Sequence, residues 1–207
     1  MKFVTVIHHP LVQHNLTRLR DQTTDPQEFR RCLGEVAALM VYEATRSFAT
    51  RRVKVATPLA QTNGLRLRRD VILVPILRAG LGMLPGILQL IPHARVGFIG
   101  LKRHEETLQA STYHKSLPPD LREFDIILID PMLATGGSTV AALDLLRAQR
   151  ARRIQVVNLV AAPEGIRHVR SRYPRVPIVT AAIDQKLNER GYIVPGLGDA
   201  GDRLFGV

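Results

Sequence analysis

The chain has 207 residues, 45% of them hydrophobic, a net charge of +11 and a single cysteine. One α/β domain over 1–207 is the expectation at this length, with aliphatic side chains supplying the core because aromatics are only 5% and tryptophan is absent. Lone Cys32 excludes an internal disulfide framework and fits a reducing compartment, and no apolar stretch reaches the ~18 residues of a membrane helix.

In chain order, MKFVTVIHHP meets His8, His9 and Pro10 before a secretory apolar segment can form, so a cytoplasmic protein is expected. His8, His9 and His14 lack the companion ligands of a metal site and read as surface or interface residues. Residues 26–48 repeat apolar positions with a helical period after Pro26, and Cys32 falls on that helix. The stretch 53–69 reads as a β-hairpin turning at Asn63-Gly64.

From residue 71 apolar runs alternate with amphipathic ones. Strands are predicted at 71–77, 94–100, 124–130, 153–162 and 176–184, and helices at 80–91 (despite Pro85), 137–149 and 163–173. Near-continuous apolar strands separated by helices predict a mostly parallel sheet flanked by helices on both faces. The polar stretch 102–120 does not fit the alternation and reads as a mobile arm or active-site flap. The glycine-rich tail 188–207 reads as an ordered irregular loop, because Tyr192, Ile193, Val194, Leu197, Leu204 and Phe205 are too apolar to be left in water.

The positive charge points to an anionic partner, either nucleic acid or a phosphorylated small molecule. Its densest cluster, RAQRARR at 147–153, sits at the end of a predicted helix, where cations already suit the helix dipole. Charge alone leaves the partner open.

In parallel sheets ligands bind beyond the carboxyl ends of the strands. At one such end, strand 124–130 closes on Asp130-Pro131 and the turn ATGGS leads into a helix. Backbone amides of that turn and the helix N-terminus form an anion cradle, with Thr135, Ser138 and Thr139 adding hydroxyls. Neither a Walker A ending nor a GxGxxG fingerprint is present; the structural alternative is that Ser138 or Thr139 caps the helix. A carboxylate beside a phosphate cradle suits a sugar attached to that phosphate. At a second strand end, VPILRAGLGM (74–83) sets Arg78 beside an open backbone, which fits a pyrophosphate or a pairing with a neighbouring acid.

DPMLATGGS resembles the ribose-phosphate motif of the type I phosphoribosyltransferases. Together with HHPLVQHNLTRLRD, YEATR, VPILRAGLGM, KRHEETLQ, AAPEGI and YIVPGLGDAGDRLFG, it resembles the uracil phosphoribosyltransferase family over nearly the whole length. Pro131 stands where most of the superfamily has a second acid, as in the uracil branch, which leaves Asp130 as the single carboxylate in direct contact with the ribose. The resemblance implies the type I phosphoribosyltransferase fold with a β-hairpin or flexible arm.

It implies transfer of the phosphoribosyl group from phosphoribosyl pyrophosphate to uracil, giving UMP and diphosphate, with Mg2+ held mainly by substrate and water. Asp130, Pro131, Met132, Leu133, Ala134, Thr135, Gly136, Gly137 and Ser138 would take the ribose and its 5-phosphate. Arg78 and Arg103 would hold the pyrophosphate, and with Asp130 are the candidate catalytic residues. Ile193, Gly198, Asp199 and Ala200 would read uracil, Asp199 also touching the phosphoribosyl substrate or the Mg2+ shell. No general base is identified; His104, Glu105 and Glu106 read as a solvated, mixed-charge arm. A homodimer or higher homo-oligomer is expected, with GTP a candidate activator from the resemblance alone. The alternatives are an RNA-binding pyrimidine-operon regulator on the same fold, which the lack of aromatics among the basic residues disfavours, and an enzyme for another nucleobase.

Overall fold

The computed structural model describes residues 3–103 and 110–207, except the side chains of Arg103 and Ala110. The first third holds β1 (Val4–Val6), α1 (Pro10–Arg20), α2 (Pro26–Ala44), β2 (Thr50–Ala56) and β3 (Gln61–Leu67). The centre holds β4 (Val71–Leu77), α3 (Leu84–Leu90), β5 (Arg95–Val96), β6 (Phe98–Arg103), β7 (Ala110–Ser116), β8 (Asp125–Ile129), β9 (Met132–Leu133) and α4 (Gly137–Ala148). The chain closes with β10 (Arg153–Ala161), α5 (Pro163–Arg172), β11 (Ile178–Ile183), β12 (Lys186–Leu187), β13 (Ile193–Val194) and α6 (Ala200–Phe205).

The main sheet runs β1-β11-β10-β8-β4-β6-β7, with β5 on β4 and β9 on β10; it is parallel except for the β6–β7 pair. The apolar strands have no polar face because both sides are covered. Val71 and Leu73 of β4 and Ile127 and Ile129 of β8 face the core formed with α1, α2, α3 and α6. Their neighbours Ile72, Val74, Ile126 and Leu128 face the core formed with α4 and α5. Side-chain alternation thus supplies two cores from one apolar run.

Several elements differ from the sequence expectation for identifiable reasons. The hairpin turns at residues 57–60, and Asn63 and Gly64 lie inside β3, opposite Lys54 and Val53. Thr57 decides this: its hydroxyl accepts from the amides of Leu59 (3.2 Å) and Ala60 (3.0 Å), and its amide donates to Ala60 O (2.9 Å). With Pro58 fixing the next φ, that side-chain turn outcompetes Asn-Gly. The expected strand 94–100 breaks into β5 and β6 at Gly97, next to a stretch of β4 where Pro75 offers no N–H and neither Val74 nor Pro75 pairs on that side. Residues 79–83 form a 3-10 turn, and α3 starts with Pro85 in its first turn, where the missing N–H costs nothing.

Helix α1 and strand β1 were not predicted. The apolar face of α1 is only Val12, Leu16 and Leu19, with Pro10 at its start and His9 Nδ1 accepting from the amide of Leu11 at 3.2 Å. His8, His9 and His14 are exposed, and Cys32 is fully buried. In the stretch read as an arm, β7 pairs antiparallel with β6; His104, Glu105 and Glu106 lie outside the described residues. No helix among the described residues is long and apolar enough to cross a membrane.

Candidate active site

Asp130 directly follows strand β8, and the turn from it is stitched to β10. The amide of Asp130 donates to Val157 O at 3.2 Å, Asn158 Nδ2 donates to Asp130 O at 2.7 Å, and the amides of Leu159 and Val160 donate to Pro131 O at 2.9 and 3.0 Å. The turn ends at Gly136, whose φ of 82° places it in the left-handed region and makes it the N-cap of α4. No side chain among the described residues caps this helix, so the alternative in which Ser138 or Thr139 does so is not met; Thr139 is buried. The first amides of α4 are therefore left without a side-chain acceptor, as an anion cradle requires.

Helix α5 supports the turn from behind. A Cβ on Gly165 would lie 2.3 Å from Ala134 O and 2.8 Å from Leu133 O, so backbone meets backbone here. His168 Nδ1 lies 2.9 Å from Thr135 O, which requires the proton on Nδ1 because the carbonyl only accepts.

The opposite wall comes from the tail. Strands β12 and β13 pair antiparallel, with Asn188 Oδ1 accepting from the amides of Arg190 (3.0 Å) and Tyr192 (2.9 Å) to fold their connection. Asp184, its side chain 5% exposed, binds Arg20 through both oxygens (2.6 and 2.8 Å). Asp184 Oδ2 also accepts from the amide of Gly196 at 2.8 Å, while Arg20 Nη1 donates to Gly196 O at 2.7 Å. Both sides of residue 196 are thus gripped, at a φ of 62° that suits glycine. Arg203 adds Nη1 to Leu197 O at 2.9 Å and stacks on Phe29, 4.6 Å from the ring centroid.

The tail is more regular than the expected loop, because Asp199 caps α6 by accepting from the amides of Gly201 (2.8 Å) and Asp202 (3.0 Å). Ile193, Leu197 and Leu204 are buried as expected, whereas Tyr192 and Phe205 are exposed. Phe205 is sheltered on one side by the Arg78 guanidinium, 5.8 Å from its ring centroid.

The two walls enclose one cavity of about 400 Å³. From the expected residues it brings together Asp130, Met132, Ala134 and Ser138 on one side and Ile193, Gly198, Asp199 and Ala200 on the other. Pro131, Leu133, Thr135, Gly136 and Gly137 shape the turn without lining the cavity, and Leu133 is core. Arg78 is exposed and does not line it either; its neighbour Ala79 does. Arg103 ends β6 beyond Gly100, the partner of Leu77, so its backbone lies at the same edge as Arg78, and its side chain lies outside the described residues. Arg190, Gly191 and Tyr192 also line the cavity and were not singled out from the sequence. Only the β12–β13 connection brings them there.

Removal from water pushes the Asp130 carboxyl up to about 7; the amide of Met132 at 3.4 Å opposes this weakly and the charge of Asp199 adds to it. A carboxylate this costly to ionise, at the mouth of a strand and open to a cavity, is a candidate functional position.

The model of a family described as uracil phosphoribosyltransferase matches residues 6–207. The chain belongs to the uracil phosphoribosyltransferase family. A curated uracil phosphoribosyltransferase of Symbiobacterium thermophilum is 55% identical over 208 residues, covering 100% of both chains. A solved structure of a protein from Aquifex aeolicus has a TM-score of 0.94 at 38% identity, covering 99% of this chain and 98% of that one. A purine phosphoribosyltransferase from Pyrococcus horikoshii, at 13% identity and a TM-score of 0.51 over 74% of this chain and 84% of that one, shares the fold. The likeness to the Symbiobacterium thermophilum enzyme thus spans the whole chain, whereas the purine enzyme is alike in fold alone.

Proposed function

We propose that this chain transfers the phosphoribosyl group of phosphoribosyl pyrophosphate to uracil, releasing UMP and diphosphate in pyrimidine salvage. The observation that carries the reading is the single cavity whose walls are the Asp130–Ser138 turn and the Ile193–Ala200 tail. The uncapped amides of α4 take the 5-phosphate, and Asp130 accepts hydrogen bonds from the ribose hydroxyls. Uracil presents alternating acceptors and donors along one edge, which main-chain groups of Ile193, Gly198, Asp199 and Ala200 read. Asp199 keeps one carboxylate oxygen outside its helix cap, directed to the phosphoribosyl substrate or its ion shell.

As the bond from the anomeric carbon to pyrophosphate lengthens, negative charge grows on the leaving group and positive charge on the sugar. Arg78, exposed at the strand mouth, and Arg103 at the same sheet edge meet the leaving group. A uracil ring nitrogen then attacks from the opposite face as the bond to diphosphate breaks, its proton passing to the departing diphosphate or to water. Proximity in one cavity lowers the barrier by on the order of 7–11 kcal/mol when the pair is well oriented. Asp130 and Asp199 line the same cavity, and the charge of Asp199 helps to raise the carboxyl of Asp130, so the two would favour a cation brought into it. This arrangement fits Mg2+ brought in on the diphosphate, whose chemistry there is to neutralise the departing charge.

The enzyme acts in the cytoplasm as a homo-oligomer, in keeping with the exposed Leu59 and Leu65 of the β2–β3 hairpin. GTP as an activator rests on the family resemblance, and no residue is assigned to it.

The test is diphosphate release from phosphoribosyl pyrophosphate and Mg2+ with uracil, cytosine, hypoxanthine or no base. Release with uracil alone is expected; equal release with hypoxanthine, or none from folded protein, overturns the reading. Two further results are expected. With Asp130 as hydroxyl acceptor, kcat/KM for phosphoribosyl pyrophosphate rises with pH through about 7 as the carboxyl ionises, and this inflection is absent in Asp130→Asn. Gly165→Ala pushes a methyl into Ala134 O, displaces the phosphate turn and weakens phosphoribosyl pyrophosphate binding at least ~10-fold with far-UV circular dichroism unchanged.

A further inference from the structure

The amino-terminal edge of the sheet, roughly 25 Å away along the nine residues of β10, opens into a second cavity of about 520 Å³. Five arginines line it: Arg69 ahead of β4, Arg147 from α4, Arg152 and Arg153 where β10 begins, and Arg175 ahead of β11. Among the described residues the active-site cavity is lined by one arginine and two carboxylates, against five arginines here. The acid of the second cavity is Asp125, and it is already engaged by Arg153 Nε at 2.9 Å. Arg147 is committed as well, Nη1 donating to Ala151 O at 2.7 Å and Arg152 O at 3.2 Å at the end of α4.

Arg69, Arg152 and Arg175 are left. They come from three separate segments, and their side chains make no hydrogen bond or ion pair among the described residues. Like charges gathered on a concave wall focus a positive potential into the space between them. A second observation points the same way. Gln155, 6% exposed, lines this cavity, and its Nε2 is buried without an acceptor among the described residues. An orphaned buried donor is costly, and a turn of the Gln155 side chain toward the cleft would let an anion there supply the missing acceptor.

We propose that this cleft is a second anion site, taking a multiply charged oligophosphate. Guanidinium forks match phosphate oxygens, and three uncommitted forks from three segments suit several charges spread along one ligand. The cavity is large enough for a nucleotide-sized molecule, with Phe48 on its wall beside the arginines. A strand of nucleic acid is the weaker fit, since it needs a row of stacking aromatics and Phe48 is the one aromatic lining the cleft. The proposal is independent of the assignment of the other cavity.

The test is calorimetric titration of inorganic tripolyphosphate, without Mg2+, into wild-type protein, Arg78→Ala and the double variant Arg152→Glu/Arg175→Glu. Arg78→Ala is expected to keep a tripolyphosphate site. The double variant is expected to bind there at least ~10-fold more weakly while uracil-dependent diphosphate release stays within about twofold. If charge reversal disturbs the circular dichroism spectrum, Arg152→Gln/Arg175→Gln carries the same comparison. ATP in place of tripolyphosphate distinguishes a nucleotide, bound more tightly through the Phe48 wall, from an inorganic chain. Unchanged binding after reversal, or no tripolyphosphate site in Arg78→Ala, overturns the proposal. So does binding of a 20-nucleotide RNA, but not of tripolyphosphate, that reversal abolishes.

Discussion

Asp130→Ala is expected to lower kcat/KM for phosphoribosyl pyrophosphate by about 100- to 1,000-fold. Losing a carboxylate that accepts two hydroxyl bonds removes on the order of 3–4 kcal/mol, at about 1.4 kcal/mol per decade of rate. The same position carries an opposite stability effect. The folded carboxyl titrates near 7 and the unfolded one near 3.8, so its contribution to stability is present below about 4 and lost as pH rises through 7. Asp130→Asn is therefore expected to be more stable than wild type at pH 8, and no more stable at pH 4. Discounting for the face open to the cavity, the gain is on the order of 2 kcal/mol, or about 4–8 °C in Tm for a chain of this size. Calorimetric melts at the two pH values check it. A variant both inactive and less stable at pH 8 would mean that Asp130 holds the fold rather than a substrate.

Asp184→Asn is expected to act on the other wall. Asp184 Oδ2 accepts from both Arg20 and the amide of Gly196, and an amide NH2 there sets donor against donor. Breaking a buried pair by altering one partner costs about 3–5 kcal/mol, so a clear fall in Tm is expected. The kinetic signature is more specific. Residues Ile193 to Ala200 lose their grip at Gly196, so KM for uracil rises at least ~10-fold while KM for phosphoribosyl pyrophosphate changes less than about threefold. Arg20→Lys keeps the charge without the fork and is expected to fall in between. Equal increases in both KM values, or a lower Tm with both unchanged, would count against a positioning role for this pair.

The sheet was readable because burial on both faces writes itself into residues such as 71–77 and 126–129 as unbroken apolar runs. The place of Asp130 was readable for a related reason: a charge ending such a run stands out against it, and the structure sets it on the cavity. Side-chain competition was harder to see. Asn63-Gly64 is a strong turn signal alone, yet the Thr57 hydroxyl and Pro58 fold the chain six residues earlier. Gly136 is the N-cap of α4, ahead of the Ser138 and Thr139 hydroxyls, because the close approach of Gly165 fixes the turn. Arg190 and Tyr192 depend on a two-residue strand pair, too short to leave a periodic trace. The Arg20–Asp184 clamp joins residues 164 positions apart, which no local pattern reveals.

The central claim is that one cavity holds the phosphoribosyl group against Asp130 and the base against the tail. A crystal structure with bound UMP tests it most directly. The expected density puts the phosphate on the first amides of α4, the ribose hydroxyls within about 3 Å of Asp130, and the uracil edge on main-chain groups of Ile193 to Ala200. UMP seated elsewhere, in the arginine-lined cleft for example, or with its base turned away from the tail, would contradict the account.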